Sequence, residues 1–326
     1  MAVIGTLRRV LMAPSLVEVG FARRGFPVES TAVTRRLEHV PRAVVCGFEW
    51  GIEASSLPEA ECRLAMVDLE LQGFAYEGAT MACVIRDVMG PGRGTRTRDL
   101  LTGGGARHIF LNYIGIGFAM ARLPRLLWKK VLPELTDAAS YPQMHWLAVD
   151  GYGFDKAYFH TPRFVDDQRV PEAYPWQGDS AYFLRAVDQG IGRALWFIHG
   201  ASAGNVVAAV RRFAVERQPD LWSGVGLAAT FAGCCAPTGL ETLRTAAGEH
   251  WAHLAQGAVF AAKARDHAQA IPEHTHAAVH TLAGLSVRQA SGLADDCAVP
   301  DDESGTCAYE LWRRAVRSKL PDNQGR

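Results

Sequence analysis

Net charge is missing from this chain: 34 Lys and Arg are matched by 34 Asp and Glu, so no basic footprint for nucleic acid arises. Redox and metal signatures are lacking too. The cysteines Cys46, Cys62, Cys83, Cys234, Cys235, Cys297 and Cys307 form no CxxC pair, and the vicinal Cys234–Cys235 are badly placed to bridge each other. They read as buried, reduced thiols of a cytoplasmic protein. There is no HExxH, no DDxxD and no Lys-Ser/Thr closing a Gly-rich loop, which removes the metalloprotease, prenyl-diphosphate and P-loop signatures. The amino-terminal stretch has no apolar run long enough for a signal peptide. The longest uncharged run, Leu221 to Leu240, is rich in Gly and Ala and contains Pro237. It reads as a buried helix followed by a turn rather than a membrane span.

Glycine, by contrast, recurs with a pattern. Motifs of Gly, an apolar or aromatic residue and then small residues begin at Gly47, Gly73, Gly115, Gly151, Gly190, Gly224, Gly257 and Gly284, on average about 34 residues apart. That is the length of a helix-turn-helix unit. A Gly inside a helix costs roughly 1 kcal/mol relative to Ala, so the pattern predicts close approach of a facing helix backbone. The expected fold is all-α, an irregular array of stacked antiparallel helix pairs (47/73, 115/151, 190/224 and 257/284). Asp150 and Asp188, just before their glycines, read first as helix N-caps.

Other signals set the organisation. Residues 1–40 form an N-terminal amphipathic segment, 41–294 the helical-repeat domain with two helices between Pro41 and Val88, and 295–326 a C-terminal tail. Leu57-Pro58-Glu59 marks a helix start. A helix over 184–199 turns at Gly200 and restarts near Ser202, and Gln218-Pro219-Asp220 starts the next. The clearest loop, 89–105, carries Arg93, Arg96 and Arg98 among its glycines, with Arg107 just beyond. Such a loop can hold a phosphate, including that of a carrier-protein arm.

The stretches DGYGFDKAYF (150–159), DQGIGRALWFIHGA (188–201), DLWSGVGLAATFAG (220–233) and AQGAVFAAKAR (255–265) together resemble the UnbL-like family of enediyne biosynthesis proteins. The resemblance implies an accessory protein of a bacterial polyketide pathway, acting beside an iterative polyketide synthase on a linear polyene. Its partners would be that polyene or polyketide and the pathway proteins. It transfers no catalytic motif and no cofactor.

Candidate chemistry comes from the residues. Asp150, Asp155, His160, Asp188 and His199 are candidate catalytic groups for moving protons on a conjugated chain. Trp50, Tyr76, Glu77, Phe118, Tyr152, Phe154 and Trp196 are candidates for binding it; aromatic residues at such positions are more often core. The rival reading is a serine hydrolase. Gly200-Ala201-Ser202-Ala203-Gly204 fits GxSxG, and Asp266 with His276 or His280 follows in the right order. That reading requires Ser202 at a strand-to-helix corner. A third reading is a non-catalytic scaffold. The late histidines His250, His253, His276 and His280 have spacings that can hold a metal, although no metal is assigned.

Overall fold

The computed structural model describes residues 15–90, 94–135, 144–298 and 307–321. Helix dominates them, and no strand occurs among the described residues beyond one isolated bridge, Trp176 to Asp179. The fold is all-α. The chain divides into two units, one holding the residues up to Phe26 and Glu38–Asp155, the other Pro27–Leu37 and the chain from Lys156 onward.

The first unit contains α1 (Phe21–Arg24), most of α2 (Ala32–Glu53), α3 (Leu57–Leu64), α4 (Leu69–Met89), α5 (Arg96–Thr102), α6 (Ile109–Arg122) and most of α7 (His145–Phe159). The second contains α8 (Ser180–Ile198), α9 (Ala203–Arg211), α10 (Gln218–Ala232), α11 (Pro237–Ala247), α12 (Trp251–His267), α13 (Glu273–Ala283), α14 (Val287–Asp296) and α15 (Ala308–Ser318). The starts expected at Leu57 and Gln218 are found, each with Pro in the first turn. So is the break after α8, where Gly200 adopts φ 58°. The uncharged run 221–240 is α10, a turn and the start of α11, and no helix among the described residues is long and apolar enough to cross a membrane.

Three expectations need correction. Helix α2 does not begin at Pro41 but runs through it, and three helices rather than two lie between Pro41 and Val88. The proline removes one helical hydrogen bond, yet Val40, Val45, Phe48 and Ile52 are all buried from this helix, each contributing roughly 1.5–3 kcal/mol. Asp150 and Asp188 are not caps: both lie mid-helix, and the true cap of α8 is Asp179, which accepts from the Tyr182 amide at 2.8 Å. Gly284 is not a mid-helix glycine; it closes α13 at φ 71°, and α14 then starts on a Ser286–Gln289 capping box.

The mid-helix glycines make the crossings. A methyl added to Gly47 would overlap the Ala75 carbonyl, and one on Gly78 would overlap that of Val44. The same reciprocal contact joins Gly117 with Ala148 and Gly151 with Ile114, Gly192 with Leu221 and Gly224 with Gln189, and Gly226 with Leu254 and Gly257 with Ser223. In each crossing one index rises as the other falls, so the helices run antiparallel. At 100° per residue, glycines two apart face nearly opposite ways. Thus Gly115 on α6 meets Glu77 of α4 while Gly117 meets α7, and on α10 Gly224 meets α8 while Gly226 meets α12. Helices α6 and α10 are therefore each the shared middle of a three-helix row.

Candidate functional site

An extensive opening lies in the first unit and is built on the glycine-arginine loop. A groove of about 1080 Å³ is walled by Val84 and Val88 of α4 and by Val131, Leu132 and Pro133 beyond α6. Its rim carries Gly90, Gly94, Thr95, Thr97, Arg98, Lys129, Lys130 and Glu134. Two local devices hold the rim. Asp87 near the end of α4 accepts from the Thr97 amide at 2.8 Å, the Thr97 hydroxyl at 2.9 Å and the Arg96 amide at 3.3 Å, so its carboxylate caps α5. On the opposite side Trp128 is buried, and its indole N–H donates to the Met120 and Leu123 carbonyls at the end of α6. Trp128 also meets Tyr152 edge-on at 5.1 Å. Lys129 and Lys130 follow this anchor and stand exposed. Arg98 binds Asp99 at 2.8 Å.

With Asp87 occupied as a cap and Arg98 paired with Asp99, the rim presents Lys129 and Lys130 against Glu134. An apolar wall beside a cationic edge suits an apolar chain that ends in an anionic group. Arg93 lies outside the described residues.

Of the loop arginines read from the sequence Arg98 lines this groove, but none of the candidate catalytic or polyene-binding residues does. In the first unit, Tyr76 is buried and its ring lies 4.9 Å from that of His108; burial pushes its hydroxyl pKa up. Glu77 and Asp150 are buried. Phe118 meets the half-buried Phe154 at 5.7 Å, Tyr152 packs on Trp128, and Trp50 is half-buried. Asp155 is 2% exposed and bound by Arg122 at 2.7 Å.

In the second unit, Asp188 is gripped by Arg217, whose Nε lies 3.0 Å from Oδ2; burial nevertheless pushes the Asp188 pKa up to about 6. Trp196 is fully buried and donates to the Gly233 carbonyl at 3.0 Å. His199 ends α8; its Nε2 is buried without a partner, and burial lowers its pKa. His160 is exposed beyond α7. Structure brings together Phe118 with Phe154, and places the candidate acids Asp155 and Asp188 in ion pairs.

Ser202 is exposed and stands at the N-cap of α9 in a helix-to-helix turn. The strand-to-helix corner of a nucleophile elbow is absent among the described residues. His276 and His280 are exposed on one face of α13, the His250 and His253 rings lie 6.5 Å apart, and no metal-holding group of His, Cys, Asp and Glu occurs among the described residues.

The second unit also contains a polar assembly that sequence reasoning missed. The segment expected as a tail supplies α15, which buries Tyr309, Glu310, Trp312, Arg313 and Val316. Arg313 donates to Asp220 at 2.7 Å and to the Tyr182 hydroxyl at 2.9 Å. Arg185 reaches Asp220 at 2.9 Å and Glu310 at 3.2 Å, and Arg317 reaches Glu310 at 2.8 Å. Burial opposes ionisation of Glu310, but Arg313, Arg185 and Arg317 outweigh it and hold its pKa at about 2. The signal lay in the spacing of Glu310, Arg313, Arg314 and Arg317, which share one helical face, beside Tyr309 and Trp312.

A family model described as a protein of unknown function (DUF1702) matches residues 3–320. Nothing matches among the curated proteins or among the solved structures.

Proposed function

Since the chain belongs to the DUF1702 family, whose description carries no activity, we propose its function from the groove and from the UnbL-like resemblance of its sequence. It is an accessory protein of enediyne-type polyketide biosynthesis that binds a linear polyene, with the chain along Val84, Val88, Val131, Leu132 and Pro133 and an anionic end at Lys129 and Lys130. The observation that carries the reading is the pairing of an apolar wall with a cationic rim in one groove of about 1080 Å³, a volume at the upper end of small-molecule sites. Binding is favoured over proton transfer on the substrate, because Asp155 and Asp188 are each engaged by an arginine.

The test is co-expression with a polyene-forming iterative synthase, purification of this chain, and measurement of the polyene absorbance and mass that stay with it. Polyene should co-purify with the wild type and be depleted at least tenfold in Lys129→Glu/Lys130→Glu. A folded wild-type chain that retains none, in the presence of synthase and product, overturns the proposal.

A further inference from the structure

The assembly under α15 has more donors than acceptors. Four guanidiniums, the inner Arg185, Arg313 and Arg317 and the mostly exposed Arg314, contact two carboxylates, Asp220 and Glu310. Arg313 is 0% exposed. Its Nη1 serves Asp220 and Tyr182, and its Nε donates to Gln256 Oε1 at 2.9 Å, yet its Nη2 is buried without a partner. Gln256 is also 0% exposed. Its Oε1 is crowded, accepting from Arg313, from Arg317 at 3.3 Å and from Ser223 at 3.5 Å. Its Nε2, however, is buried without an acceptor.

One turn earlier on the same face of α12 stands His253, whose Nδ1 is buried and unpartnered as well. Burial and the charges of Arg317 and Arg313 push its pKa down to about 3, so the ring is neutral at pH 7.

Buried donors without acceptors each cost about 1–3 kcal/mol, and the surplus positive charge adds to that cost, less so where Arg185 reaches solvent. Water would satisfy the donors, giving a proton to His253 Nδ1, but would leave the charge unbalanced. An anion removes both deficits. We propose that a small monovalent anion, chloride or the carboxylate of a short organic acid, binds between α12 and α15, held by Arg313 Nη2, Gln256 Nε2 and the Nδ1–H tautomer of His253. The anion fastens α15 onto α12. This site is independent of the groove, and its failure leaves the polyene proposal standing.

The experiment is thermal unfolding of the full chain at constant ionic strength, with sodium isethionate, a bulky sulfonate without a carboxylate, replaced stepwise by sodium chloride or by sodium acetate. Constant ionic strength removes general screening. The unfolding midpoint should rise with the logarithm of anion concentration, by about 2–4 °C when the anion exceeds its dissociation constant tenfold. A response to chloride alone identifies a halide site; a response to acetate identifies a carboxylate site. Gln256→Glu places a fixed negative charge at the same spot, so it should be insensitive to either anion. A wild-type midpoint that ignores anion identity overturns the proposal, as does a folded Gln256→Glu chain with the full wild-type response. The wild-type titration decides alone should that variant fail to fold.

Discussion

Replacing Gly224 with Ala tests the crossings most sharply. In an open helix this change stabilises by up to about 1 kcal/mol. At Gly224 the new methyl would overlap the Gln189 carbonyl oxygen, with the Arg193 amide nitrogen at 2.7 Å and the Gln189 carbonyl carbon at 3.0 Å. All are backbone, so no side-chain rotation relieves the overlap; α8 and α10 must separate. Separation also loosens the reciprocal contact of Gly192 with Leu221. With only backbone to yield, overpacking costs the upper end of about 1–3 kcal/mol, so a net loss of about 2 kcal/mol remains after a helix propensity gain of about 1 kcal/mol. Gly292, inside α14, supplies the control, because a methyl there meets nothing within 4 Å. Gly292→Ala should gain about 0.5–1 kcal/mol. Urea unfolding followed by circular dichroism reads both. Opposite signs are predicted; a Gly224→Ala chain as stable as the wild type refutes the reasoning.

Other outcomes follow from the same geometry. Arg122→Met leaves the buried Asp155 carboxylate without its guanidinium and should cost about 3 kcal/mol, measured by the same urea titration. Acid should destabilise the chain through His253: the unfolded imidazole takes up a proton below about 6.5, whereas the folded one refuses it until about 3. Stability from this group is therefore lost as pH falls across that window, by at most about 1.4 kcal/mol per pH unit. Glu310, with its pKa of about 2 in the folded chain, adds a further loss below about 4.3, where the unfolded carboxyl protonates. Asp188 works in the opposite sense between its folded value of about 6 and its unfolded value of about 3.9. The readout is accordingly the difference between wild type and His253→Asn, which should shrink on going from pH 7 to pH 4. Ser202, exposed at a helix start, should not react with a fluorophosphonate probe, and Ser202→Ala should change stability by less than about 1 kcal/mol; labelling at Ser202 contradicts the helix-to-helix placement.

Glycine spacing made the helix-on-helix architecture legible, because a repeated propensity penalty needs a packing reason. The pairings 47/73, 115/151 and 190/224 hold between helices, α2 with α4, α6 with α7 and α8 with α10, although the contacting glycine within each motif was not legible. Consecutive pairing joins 47 with 73, but the notch on α4 is Gly78; Gly73 meets only the side chains of Leu111 and His108. Gly257 pairs back to Gly226, not forward to Gly284. Taking the motifs two by two could not reveal that α6 and α10 each serve two neighbours, which follows from the 200° between residues two apart on a helix.

The candidate acids stood out for the same reason, as charges beside close-packed glycines. Their partners are distant in sequence: Arg122 lies 33 residues before Asp155, and Arg217 lies 29 after Asp188. The loop at 89–105 was visible as a phosphate-holding element. The Lys129–Lys130 pair that completes its groove carried no local motif to connect it. Helix α15 was visible as an amphipathic piece, but burial of its charged side chains depends on Tyr182, Arg185 and Asp220.

A linear tetraene carboxylate, whose fluorescence rises when it leaves water, measures the groove directly. Titrated into the purified chain, it should bind saturably at one site per chain. Its affinity should fall at least tenfold in Lys129→Glu/Lys130→Glu with the unfolding midpoint unchanged. Equal fluorescence enhancement by wild type and variant, or none by either, would contradict an apolar wall and cationic rim built to receive such a chain.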